Sequence, residues 1–446
     1  MRTMYSRDKV KRVARRLLTA FACALVATVQ GAGAALAQEG DLSGSAGVFI
    51  EPKRTKEPAP RERAAPQRTT PRRARTRPAP AHTTTPANPK AAEKTATAEK
   101  TATAEKTATA EKTTTPAVTA ESLNARGGAA VDAGRYADAV EPLRQALKLK
   151  PDYADAHYNL GVALNALGRH DEAIEAFKRA VALDPNDSES QFDLGEALYA
   201  RGKYAEAAEA FAHVTRVAQV NAEAFEHLGD SYRALNRFPE AAAAYRDAAR
   251  LKNGDAEVLH KLGYALARAK SWPEAADALK KVLTLKPGDP GAAANLAWVY
   301  NNTGQYRLSI DLLGPVAAAK PDSTAVLFNL GTAYGHLAHK GAKNDKERKA
   351  LFAQAVDTLN QSIRLKPDWP EAHNNLGVAL GNLGRFKEAI AEHAEAVRLK
   401  PDYAHALFNL GYAYRKSGDK KMALETHKRL QALNQGLAAR LYELIK

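Results

Sequence analysis

The chain has 446 residues, 65 Lys+Arg against 50 Asp+Glu for a net charge of +15, and a single cysteine. The basic balance is a property of the N-terminal third: residues 1–37 hold seven Lys/Arg against one acid and 38–118 hold fifteen against nine, which leaves +3 for the rest. Cys23 is the only thiol and lies in the first of these segments, so disulfides, thiol nucleophiles and cysteine-ligated metals are excluded from the remainder.

Residues 1–37 read as a secretory signal. A basic start (Arg2, Arg7, Lys9, Lys11, Arg12, Arg15, Arg16) precedes an apolar stretch from Leu17 to Val29, and Ala35-Leu36-Ala37 is the small-x-small pattern a signal peptidase accepts. Cleavage would leave Gln38 first. An uncleaved anchor is the alternative, although Gln30, Gly31 and Gly33 make a poor spanning helix, and no span is expected in the mature form. Arg15-Arg16 fits a twin-arginine signal weakly, and Ala20 stands where lipidation of Cys23 would need a leucine-like residue.

From residue 38 to 118 the composition turns to Pro, Thr, Ala, Lys and Arg, with TATAEK in tandem from Thr95 to Lys112. Such a segment cannot bury enough apolar surface to offset its ordering entropy, so a disordered linker is expected. Its basic cluster, Arg68, Arg72, Arg73, Arg75 and Arg77, has no interleaved aromatic residue. It reads first as solvated linker and second as a contact for an anionic envelope polymer; no nucleic-acid partner is expected.

Beyond the linker the chain repeats. Leu160-Gly161 returns as Leu194-Gly195, Leu228-Gly229 and Leu262-Gly263, and Ala173 returns as Ala207, Ala241 and Ala275, a spacing of thirty-four. Within a unit the apolar residues fall at helical spacing in two runs, as in Leu259, Leu262, Gly263, Leu266 and then Ala275, Leu279, Val282, Leu283. The first helix should end near Gly168, Gly202, Gly304, Gly384 and Gly418 in a left-handed cap. The second should start at residues such as Pro239 and Pro273 and stop before Pro151, Pro185, Pro287, Pro321, Pro367 and Pro401. Gly314-Pro315 should break or kink the helix that begins near Arg307.

The pattern of a Leu-Gly pair, two further small residues and a terminal proline resembles the tetratricopeptide repeat family. It fits nine units, starting near Ala120, Ala154, Ser188, Ala222, Ala256, Pro290, Thr324, Pro370 and Ala404, the seventh with an insertion at about 339–350. The resemblance implies an all-α, right-handed superhelical solenoid of nine helix pairs over 119–436. Leu437, Leu441, Leu444 and Ile445 predict an amphipathic capping helix over 437–446 that covers the last apolar face.

No HExxH spacing, phosphate loop, GxSxG elbow or paired-acid motif occurs, so neither catalysis nor a cofactor nor a metal is expected. The family resemblance implies a concave groove lined by the first helices, where position six of each unit reads Asn159, Asp193, His227, Lys261, Asn295, Asn329, Asn375 and Asn409. Asparagine both donates and accepts, as a grip on an extended peptide backbone requires; the alternative is that these asparagines belong to the repeat's own structure. Glu196 and Asp230 add to an acidic half of the groove that the basic linker could itself occupy, and Trp298 and Tyr412 add to an amide and aromatic half. The expected partner is a protein or peptide, and the expected role a non-catalytic scaffold in the cell envelope. Alternatives are an accessory subunit of a polysaccharide or pilus export machine, and the repeat part of a peptide-ladder glycosyltransferase system.

Overall fold

A computed structural model describes residues 118–446. The export segment and all but the last residue of the linker lie outside the described residues. These residues form nineteen helices and no strand, and they divide into two compact units at Gly202 and Lys203. The first unit holds α1 (Ala120–Asp132), α2 (Tyr136–Leu149), α3 (Ala154–Ala166), α4 (His170–Leu183) and α5 (Ser188–Ala200). The second opens with α6 (Tyr204–Val217), α7 (Ala222–Ala234), α8 (Phe238–Leu251), α9 (Ala256–Arg268), α10 (Trp272–Leu285), α11 (Pro290–Asn302) and α12 (Tyr306–Ala319). It continues through α13 (Thr324–Lys340), α14 (Asp345–Leu365), α15 (Pro370–Asn382), α16 (Phe386–Leu399), α17 (Ala404–Ser417), α18 (Lys420–Leu433) and α19 (Gln435–Ile445). Within each unit, successive helices pack as antiparallel neighbours in consecutive pairs.

Local chemistry sets the helix ends. Four first helices begin on the side-chain caps Asp187, Asn221, Asp255 and Asp289, which accept from backbone N–H groups two or three residues on. Apart from α13, the first helices end in a left-handed residue, as at Gly168 with φ of 76°, where the Arg169 N–H donates to the Leu164 carbonyl. Asn236 and Lys270 hold the same place without glycine, at φ of 58° and 61°. Each terminal proline follows two residues after a second helix, as Pro287 follows Leu285.

Packing inside a pair turns on the glycine of the Leu-Gly motif. A Cβ on Gly161 would meet the Phe177 ring at 2.6 Å, one on Gly229 the Tyr245 ring at 2.6 Å and one on Gly263 the Leu279 side chain at 2.7 Å. The second helix supplies this plug sixteen residues on, and the plugs are buried. On Gly377 the plug is His393, and on Gly411 it is Leu441 of the capping helix. Leu441 and Ile445 of α19 are fully buried against α17 and α18.

The seventh repeat takes up its extra residues mostly as helix. α13 has 17 residues where α3 has 13, and α14 has 21 where α4 has 14. The expected break at Pro315 is absent, for α12 runs unbroken from Tyr306 to Ala319. Pro315 is exposed, and the Asp311 carbonyl left without a helical donor belongs to an exposed residue that water can satisfy.

Candidate functional site

Position six of a repeat sits on a first helix, and at Asn159, Asp193, Lys261, Asn295, Asn329 and Asn409 its side chain meets position five of the preceding repeat. Asn159 Nδ2 donates to Asn124 Oδ1 at 3.0 Å, and Asn409 Nδ2 to Asn374 Oδ1 at 3.0 Å. Asn295 Nδ2 meets His260 Nε2 at 2.8 Å, and Asn329 Nδ2 donates to the Ala294 carbonyl at 3.0 Å. Asn375 departs slightly, donating to Thr332 Oγ1 at 3.1 Å. Asn295 and Asn329 have no exposed surface, and neither faces open groove. Asp193 accepts from the Tyr158 hydroxyl at 2.9 Å; burial, with the Asp193 carboxylate beside it, pushes that phenol well above its ordinary value.

Lys261 fills the same position with a charge. The residue is 5% exposed, and its ammonium lies 2.7 Å from Glu226 Oε1 and 3.0 Å from Asp230 Oδ2. Lys252 Nζ holds the other Glu226 oxygen at 2.6 Å, and the Tyr245 hydroxyl donates to Asp230 Oδ1 at 2.8 Å. Burial alone would raise the Glu226 carboxyl, but the Lys261 and Lys252 ammonium groups override it and hold it at about 2. Asp230, expected in an acidic half-groove for the basic linker, and Glu226 beside it are therefore already matched from inside the fold.

Three of the ten sequence-predicted residues do share an open site. Asn375, Asn409 and Tyr412 line a groove of about 810 Å³ between α13, α15, α17 and the capping helix, wholly within the second unit. Its apolar surface comes from Phe386, Phe408, Val378 and Leu444. Asn159, Asp193 and Glu196 belong to the first unit, Asp230 is buried in the ion cluster, and Trp298 packs against Trp272 with ring centroids 5.3 Å apart. Asn295 and Asn329 do not line the groove.

The sequence reading missed the groove's cations. Lys340 comes from the extension of α13, Lys416 from the last turn of α17 and Arg440 from the cap. Lys416 stands over the Tyr412 ring at 5.4 Å, and Arg440 near the Phe408 ring at 5.8 Å. The signal available was Arg440 and Leu444 at i, i+4 on the capping helix. The groove also holds two buried polar atoms without hydrogen-bond partners, Asn375 Oδ1 and His393 Nδ1. Burial pulls the His393 imidazole down to about 3, so the ring is neutral.

Among the described residues no helix is long and apolar enough to cross a membrane, and no three His, Cys, Asp or Glu side chains gather as metal ligands. Tetratricopeptide repeat family models match residues 124–188, 164–228, 228–290 and 266–330, a TPR-repeat model matches 382–418, and a further tetratricopeptide model matches 406–441. The unmatched stretch includes the lengthened helices of the seventh repeat. No curated protein sequence matches the chain. Similar solved structures include MamA from Desulfovibrio magneticus RS-1 (residue 41 to the end), 22% identical over 41% of this chain and 96% of that one, with a TM-score of 0.35. The thermophilic TPR protein TTC0263 of Thermus thermophilus is 21% identical over 43% and 98%, with a TM-score of 0.37. YrrB, described as a TPR protein with an unusual peptide-binding site, is 20% identical over 45% and 97%, at 0.34.

Proposed function

We propose that this chain, which belongs to the tetratricopeptide repeat family, is a non-catalytic protein-binding scaffold exported to the cell envelope. Its binding surface is the groove between α13, α15, α17 and the capping helix. The observation that carries the reading is the composition of that groove: apolar rings, amides and unpaired cations side by side in an open cleft. A cleft of this kind offers apolar burial for affinity and a few fixed polar groups for orientation. Asn375, Asn409 and Tyr412 are the contacts on the groove floor. Export rests on the basic, apolar and Ala35-Leu36-Ala37 sequence of the first 37 residues.

A photo-crosslinking residue at Tyr412 tests the groove, with exposed Lys281 on α10 as the control site. The expected result is a discrete adduct from envelope extract at position 412 and none at 281. Equal labelling at both sites, or none at 412, would remove the groove from the reading. Export is checked by the N-terminus of the native protein, where Gln38 is expected and Met1 would refute cleavage.

A further inference from the structure

The groove's charge is one-sided. Lys340, Lys416 and Arg440 line it together with His336 and His339, and no aspartate or glutamate lines it. Elsewhere in the same unit several guanidinium groups are paired, as Arg385 with Glu388, Arg398 with Glu395 and Arg246 with Glu274. Among the described residues none of Lys340, Lys416 and Arg440 has an ion pair. Lys340 stands on the lengthened α13 and Arg440 on α19, both of which depart from the repeating frame. Two of the three cations are thus additions to the repeat, gathered with Lys416 of α17 over a single cleft.

Beneath them Asn375 Oδ1 is an acceptor with no donor, although its residue is only 7% exposed and its Nδ2 is bound to Thr332. Leaving such an atom unmatched is unfavourable, and a donor arriving with a ligand would relieve it. The Phe386 and Phe408 side chains supply an apolar seat in the same groove.

From this juxtaposition we propose that the groove takes an acidic segment of a partner protein. In this arrangement Asp or Glu side chains meet Lys340, Lys416 and Arg440, an apolar side chain between them enters beside Phe408, and a backbone N–H donates to Asn375 Oδ1. The proposal rests on the scaffold reading and names the chemistry of its ligand. Charge complementarity carries it, because a basic or neutral segment would leave three unpaired cations facing it across the cleft.

The test is a phage-displayed library of random short peptides selected on the mature protein, alongside a K416E/R440E variant. Acidic sequences containing an aromatic or large aliphatic residue are expected from the parent. The selected peptides should bind the variant about tenfold more weakly, as two exposed charge contacts imply, and the parent's affinity should fall with salt. An N375A variant should weaken the same peptides without altering the salt dependence. Selection of neutral or basic sequences, no enrichment at all, or the same sequences from the K416E/R440E variant would each overturn the proposal. So would polygalacturonate competing as strongly as the selected peptide, because that result assigns the groove to polyanions generally. An adduct at position 412 with a partner lacking any acidic stretch would overturn the acidic ligand and leave the scaffold reading standing.

Discussion

Replacing Lys261 by methionine removes the centre of the buried ion cluster while keeping most of its volume. Severing a buried pair costs about 3–5 kcal/mol when the surviving charge is stranded. Here the stranding is partial, since Glu226 keeps Lys252 at 2.6 Å, and Asp230 keeps the Tyr245 hydroxyl at 2.8 Å and Arg233 at 3.5 Å. The expected loss is therefore about 2–3 kcal/mol near neutral pH, read from urea unfolding followed by far-ultraviolet circular dichroism. The pH dependence adds a second signature. The Glu226 carboxyl is depressed from 4.5 to about 2 in the folded protein, so its contribution is present above 4.5 and is lost as pH falls towards 2. Without Lys261 the depression is smaller and there is less to lose, so parent and variant should converge in stability as pH drops from neutral towards 3. A Lys261→Met protein as stable as the parent, or a gap that stays constant with pH, would refute the account of the cluster.

Three further outcomes are expected. Gly229→Ala places a Cβ 2.6 Å from the Tyr245 ring, which is buried and tied to Asp230, and should cost about 1–3 kcal/mol; an unchanged melting temperature would contradict the close approach. His393→Leu should flatten the acid limb of stability, because the imidazole is held neutral with a value of about 3, so its contribution is present above about 6.5 and lost as pH falls towards 3; parallel pH profiles for parent and variant would count against this. Leu441→Ala empties the seat over Gly411 and should cost about 2–5 kcal/mol, with faster hydrogen exchange in Ala404–Ser417 and little change in Ala256–Arg268; uniform exchange along the array would deny that the cap acts locally.

Much of the fold was legible because its determinants are local. Pro287 two residues after Leu285, the left-handed Gly168 and the small residues at Gly229 and Ala241 act within a turn or one helix pair, and the thirty-four-residue spacing exposes them. Pro315 did not break α12, because its effect depends on which side of the helix faces water. The asparagines were ambiguous for a different reason. Their chemistry suits a peptide backbone or a neighbouring helix equally well, and only the close approach of successive first helices decides between them. Even so, complementary pairs thirty-five residues apart, Tyr158 with Asp193, Glu226 with Lys261 and Asn374 with Asn409, stood in the sequence. The groove cations escaped notice because Lys340 and Arg440 occupy an extension and a cap, for which the repeat pattern assigns no facing direction.

The back-reaching side chain at position six makes the repeats non-interchangeable. An array held only by Leu-Gly packing could gain or drop a unit by unequal recombination, since every seam would fit every other. Here several seams carry their own locks: an ammonium between carboxylates at Lys261, an amide on an imidazole at Asn295, an amide on an amide at Asn409. Excising residues 256–289 would leave the frame intact but set Asn295 opposite Glu226 and strip Asp230 of its ammonium. The order of the units is thus written into their joints, and a spliced chain would report its missing member as buried, uncompensated charge.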